Sequence, residues 1–134
     1  MWTEKRDSVR VEIECPITYV CLKKALMVFT KKTKATNAMM VKPSMMGLRI
    51  VGAEDVPANT KLQINVEMKK LGYSRPYLLS GIVVWSSFSG KTKSFEQGVK
   101  IFDSSPDWKP WRKFILEQLK STDRFSKSQT FNNK

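Results

Sequence analysis

From Val11 to Leu22 apolar side chains occupy the odd positions, Val11, Ile13, Cys15, Ile17, Tyr19 and Cys21, while Glu12, Glu14 and Thr18 fall between them. A period of two marks a strand with one buried face. Pro16 lies on the other face and brings no N–H to a ladder, which predicts an edge position or a bulge. The alternation recurs from Lys61 to Met68, with Leu62, Ile64, Val66 and Met68 on one side and Lys61, Gln63, Asn65 and Glu67 on the other. Shorter runs add strands at Leu48 to Val51, just after Gly47, and at Val28 to Lys32 with Ala38 to Val41. "YLLSGIVVWSSF", from Tyr77 to Phe88, and "FEQGVKIF", from Phe95 to Phe102, flank the turn-forming "SGKT" and predict a hairpin. Trp85, on the apolar strand, is expected in the core.

The pattern changes between Asp103 and Pro110. Ser104, Ser105, Pro106 and Asp107 are helix-start residues, and Trp111, Phe114, Ile115 and Leu119 are then spaced to share one helical face. Pro110 places the start near residue 110. Beyond Lys120 the chain is polar and aperiodic, so residues 121–134 are expected to be a disordered tail. Antiparallel strands in succession with one terminal helix predict an all-β fold, a small barrel plugged at one end by Trp108, Trp111 and Ile115. The methionines Met39, Met40, Met45 and Met46 are expected to fill gaps in it.

Composition narrows the function classes. A chain of 134 residues, 41% apolar and 27% charged, suits one globular domain. The weakly polar stretch from Tyr77 to Phe88 is too short to span a bilayer and the N-terminus lacks a leader-like apolar run, so a cytoplasmic protein without membrane insertion is expected. Histidine is absent, which removes the commonest general base and metal ligand. Cys15 and Cys21 stand roughly 20 Å apart on an extended chain, too far to bridge, and are expected to be reduced thiols. No metal, no cofactor and no enzymatic activity are expected.

The net charge is +12, and segment 31–53 contributes Lys31, Lys32, Lys34, Lys42 and Arg49 with no acid. That concentration attracts anions.

Arg6 and Arg10 form an R-x-x-x-R pair immediately before the first strand, and Lys42-Pro43-Ser44-Met45-Met46-Gly47 carries an S-x-x-G element entering a later one. With the strands "GLRIV", "SGIVVW" and "QGVKIF" and the terminal helix, the chain resembles the PilZ domains over residues 4 to 120. The resemblance implies a six-stranded antiparallel PilZ-like β-barrel with an N-terminal arm over residues 1–10 and a barrel-plus-helix body over 11–120. It also implies a bacterial receptor for the messenger cyclic di-GMP, with Arg6, Arg10, Lys42, Ser44 and Gly47 as ligand-binding residues.

The chemistry of those residues suits that ligand. A guanidinium can bind guanine O6 and N7 together, meet a phosphate oxygen and stack on a purine. On an extended arm Arg6 and Arg10 project to one side roughly 13 Å apart, enough to clamp two parts of one ligand. Ser44 can donate or accept, and Gly47 leaves room for a sharp turn or a close ligand. Lys42 departs from the family's D/N-x-S-x-x-G pattern. An ammonium has donors only and cannot accept from a guanine edge, a mismatch of about 1–3 kcal/mol if nothing replaces it.

Two other classes compete. A PilZ-like adaptor without the nucleotide would work through protein contacts, whereas a stand-alone receptor would act on a protein partner or as a homodimer. A basic barrel binding single-stranded nucleic acid would suit the charge and the 10% aromatic content, but the RNP-type aromatic strand is missing. For Arg6 and Arg10 the structural alternative is a solvated arm paired with Glu4, Asp7 or Glu12.

Overall fold

The computed structural model describes residues 10–22 and 35–132, with side chains through Lys120. Arg6 and the run from Val28 to Lys32 lie outside the described residues. Strands β1 (Glu14–Leu22), β2 (Thr36–Val41), β3 (Gly47–Gly52), β4 (Lys61–Val66), β5 (Tyr77–Ser89) and β6 (Ser94–Ile101) are followed by helix α1 (Trp108–Asn132), with a short 3-10 turn at Met68–Leu71 after β4. The sheet closes in the order β1-β2-β3-β6-β5-β4, every neighbour antiparallel. The predicted six-stranded antiparallel barrel with a C-terminal helix is what forms.

Alternation decides what the barrel holds. Cys15, Ile17 and Tyr19 of β1 and Leu62, Ile64 and Val66 of β4 are buried, as are Met40, Leu48, Ile50, Leu79, Val83, Val99 and Ile101 from the other strands. Each large apolar side chain so buried contributes roughly 1.5–3 kcal/mol. Closure leaves Pro16 on no edge. Its carbonyl accepts from Glu67 N–H at 3.2 Å, just past the last β1–β4 pair, Ile17 with Val66, so its missing N–H costs the ladder nothing.

Helix α1 begins two residues before Pro110, which therefore sits in the first turn, where no N–H partner is needed. Trp111, Phe114 and Ile115 are fully buried, and Trp108 and Leu119 pack against the same core. The helical backbone runs on to Asn132, through a segment whose polarity predicted a disordered tail but which holds neither proline nor glycine to stop a helix. Among the described residues no helix is long and apolar enough to cross a membrane.

A further expectation is overturned within the sheet. Trp85 is 39% exposed and lies outside the barrel. The β5–β6 register slips by one between Val83 and Trp85, so Val84 is an extra residue and Trp85 swings to the outer face. The indole lies over Gly98, where any Cβ would collide with its Nε1.

Candidate functional site

The loop from Lys42 to Met46 joins β2 to β3 at the end of the barrel that α1 covers. Its geometry is set by short-range bonds around Ser44. Ser44 N–H donates to the Gly47 carbonyl at 2.7 Å, and Gly47 N–H donates to Ser44 Oγ at 3.1 Å. The hydroxyl in turn donates to the Gly47 carbonyl at 3.2 Å. Trp111 Nε1–H, inside the plug, donates to the Ser44 carbonyl at 3.2 Å and ties the loop to the helix. Ser44 is only 3% exposed, so its hydroxyl is spent on the turn.

Gly47 has a comparable inward role. A Cβ there would sit 2.8 Å from the Val99 carbonyl on β6, so glycine is what lets β3 and β6 approach. The S-x-x-G spacing therefore builds the loop: serine closes it and glycine admits the neighbouring strand. The sequence had suggested a ligand contact for the Ser44 hydroxyl and a sharp turn or room for a close ligand at Gly47; in this conformation the hydroxyl faces inward and the glycine makes room for β6.

Lys42 is exposed and adopts φ 47°, the left-handed region, in which an L residue other than asparagine, aspartate or glycine is strained by about 1–2 kcal/mol. A physical reason for aspartate or asparagine at this position follows, separate from any ligand. Arg10 is brought directly to it: Arg10 Nη1–H donates to the Lys42 carbonyl at 3.1 Å, and Val11 N–H donates to the Pro43 carbonyl at 2.8 Å. These bonds stitch the segment leading into β1 along the loop, and the exposed Arg10 guanidinium stands at its outer side.

The adjoining outer face was missed from the sequence. Arg49 lies two residues beyond Gly47, about 7 Å along β3, and faces Gly98 across the sheet. Its guanidinium lies 5.7 Å from the Trp85 ring centre and its Nη1 meets Glu96 Oε2 at 3.2 Å. Arg49 Nε is buried with no hydrogen-bond partner among the described residues. Lys100, paired with Gly47, is exposed on β6. Arg10, Lys42, Arg49, Lys100 and the Trp85 ring thus form a cationic, partly aromatic surface from the loop across β3, β6 and β5. The signal that could have found it is the pairing of Trp85 with Gly98, which depends on the bulge.

A second concavity lies at the opposite end, a cleft of about 260 Å³ lined by Tyr19, Cys21, Thr36, Glu54, Asp55, Val56, Pro57 and Thr60. It is smaller than the roughly 300–1,000 Å³ of ordinary ligand pockets and carries two carboxylates, unsuited to a dianionic ligand. Burial pushes the Tyr19 phenol up to about 12. No group of acids, cysteines or histidines able to hold a metal occurs among the described residues.

No protein-family model and no curated protein matches the chain. Among solved structures it is similar to the inhibitor of motility MotI/DgrA of Bacillus subtilis, with a TM-score of 0.63 at 9% identity over 84% of this chain and 50% of that one. It is also similar to the PilZ domain of YcgR from Escherichia coli, solved with c-di-GMP, with a TM-score of 0.51 at 11% identity over 86% of this chain and 95% of that one. The chain has the PilZ fold. It spans half the length of the motility inhibitor. At these identities the likeness is one of backbone, and the PilZ-like barrel places Arg10 against Lys42, with Ser44 and Gly47 behind them in the same loop.

Proposed function

We propose that this PilZ-like domain is a receptor module for cyclic di-GMP in the bacterial cytosol, a binding protein and not an enzyme. The ligand would lie on the outer face beside the Lys42–Gly47 loop, with the arm carrying Arg6 and Arg10 folded over it. The observation that supports this most directly is the bond from Arg10 to the Lys42 carbonyl, which holds a guanidinium at the loop. Arg10 and Lys42 would meet the phosphodiesters, and the Trp85 ring with Arg49 would stack a guanine. Ser44 and Gly47 would act by shaping the loop. Glu96, beside Arg49, is a carboxylate on this face able to accept from a guanine edge, the capacity that Lys42 lacks. Ordering of the arm would alter the surface shown to a protein partner.

A calorimetric titration with cyclic di-GMP, run beside GMP and a mixed oligonucleotide, tests the proposal. Saturable binding of the cyclic dinucleotide alone is expected, weakened about ten- to a hundredfold by Arg10→Ala and by Arg6→Ala. Silence toward the dinucleotide from folded protein would refute it. The second reading, a PilZ-like adaptor without the nucleotide, is favoured by the lysine at position 42 and by the inward hydroxyl of Ser44. Length-dependent, salt-sensitive oligonucleotide binding would instead point to a nucleic-acid barrel.

A further inference from the structure

Strand β5 outlasts its neighbour. Its last pair with β4 is Ile82 with Lys61, and Val83 still exchanges bonds with the main chain of Asn59 and Thr60. Six residues, Val84 to Ser89, then continue for roughly 20 Å, paired on one side with β6 and on the other with nothing among the described residues. Strand alternation past the bulge turns the N–H and C=O of Ser86 and Phe88 to this open side. Val83 directs its polar groups toward β4, Val84 and Trp85 both face Gly98, and the next residues alternate from there. Loop residues 53–60 cross the barrel mouth up to the level of Ser86, with Val56 buried, the Glu54 carbonyl accepting from Gln97 Nε2 and Asp55 accepting from the Ser86 hydroxyl. The hairpin beyond is an arm.

The side chains of the arm are those of a contact surface. Val84 is 52% and Phe88 57% exposed, and the Phe88 ring packs at a tilt of 54° against Phe95, its cross-strand partner, with ring centres 4.9 Å apart. At the tip, Lys91 and Lys93 are exposed, with no acid between Ser86 and Phe95.

We propose that this arm docks an acidic, extended segment of another protein, which adds as a strand to the open β5 edge. The edge supplies main-chain donors and acceptors, Phe88 supplies apolar contact on alternate positions, and the two lysines select for negative charge. An anionic bilayer fits less well. Unpaired edge N–H and C=O groups are costly against hydrocarbon, whereas a peptide strand satisfies them. A second copy fits less well again, because a net charge of +12 and paired lysine tips repel.

The proposal is independent of the nucleotide reading, and its test is run without cyclic di-GMP. The probe is a capped peptide of about eight residues alternating glutamate and valine, titrated calorimetrically into the full chain, with amide exchange followed at Ser86 and Phe88. Saturable binding with slowed exchange at both amides is expected. Lys91→Glu with Lys93→Glu should weaken it about tenfold, as should replacing the peptide's glutamates by lysine. Phe88→Pro, which removes an edge N–H, should abolish binding, while Phe88→Ala should only weaken it. Absence of saturable binding would overturn the proposal, and so would binding that survives Phe88→Pro in folded protein. Phosphatidylglycerol vesicles captured without any need for the Phe88 N–H would overturn it in favour of a membrane. A dimer that Phe88→Pro dissociates would overturn it in favour of self-pairing.

Discussion

The two ends of the barrel are built on opposite terms. At the helix end polar groups are tied to the main chain of a different element. Ser105 Oγ donates to the Phe102 carbonyl at 2.6 Å and accepts from Ser80 N–H at 2.8 Å. Asp107 takes Arg75 on both oxygens, at 2.9 and 3.2 Å, and Leu78 N–H at 2.7 Å, while Trp111 holds the Ser44 carbonyl. At the far end, among the described residues, the loop from 53 to 60 crosses the mouth with Val56 buried beside a small cleft, and the β5–β6 hairpin extends past it. Dense long-range bonding fixes a loop to within the tolerance that ligand recognition needs. A strand end whose edge groups meet no partner among the described residues is suited to meeting a partner of variable shape.

Trp111→Ala should break the contrast most severely. It leaves a cavity in the plug and a Ser44 carbonyl without its donor, and a loss of about 3–5 kcal/mol is expected in urea unfolding. Phe88→Ala, removing an aromatic ring of comparable bulk from the arm, should stay within about 0.5 kcal/mol of the parent. Equal losses would mean that the arm is as structural as the plug. Next in size is Gly47→Ala, where the backbone carbonyl of Val99 cannot yield and about 1–3 kcal/mol should be lost. Gly98→Ala should cost less, because the obstacle is the Trp85 side chain, which can swing away; tryptophan fluorescence should shift as it does.

How much of this was legible follows from the range of the interactions involved. The alternation in β1 and β4 is local and carries its own contrast, Glu12 and Glu14 against Ile13 and Cys15, so those strands and their inward faces could be read directly. Trp85 could not, because its face depends on a bulge created by pairing with Gly98, thirteen residues later in the chain. The S-x-x-G element was visible as a motif, but its partners, Val99 and Trp111, lie on elements far along the chain. The contact of Arg10 with Lys42 spans 32 positions. Spacing brought both residues to notice; only folding shows that a main-chain carbonyl joins them.

The helix end should also be the acid-sensitive one. Hydrogen bonding from Arg75, reinforced by Leu78 N–H, holds the Asp107 carboxyl below its usual value of 3.8. A depressed folded value stabilises the native state at pH above 3.8, and that contribution is lost as the pH falls through the lower folded value. Asp107→Asn should therefore lower the Tm at pH 6, and the difference from the parent should shrink as the pH falls below about 3.8. A difference that stays constant down to about pH 2 would mean that the carboxylate charge contributes nothing.

The smallest expected effect falls on the loop and separates its two roles. Lys42 holds φ 47° against the preference of a lysine backbone, and the bonds of Ser44 and Arg10 keep it there. Lys42→Asn relieves that strain without altering the loop path, so it should raise stability by about 0.5–1 kcal/mol, and Lys42→Gly should do so slightly less because it frees the unfolded chain. If the position serves shape alone, the two variants should bind cyclic di-GMP as the parent does. If it serves recognition, Lys42→Asp should tighten binding beyond Lys42→Gly, since only the carboxylate adds an acceptor for a guanine edge. Equal affinity for the aspartate and glycine variants, both stabilised, would assign position 42 to backbone geometry and leave the guanine edge to Glu96.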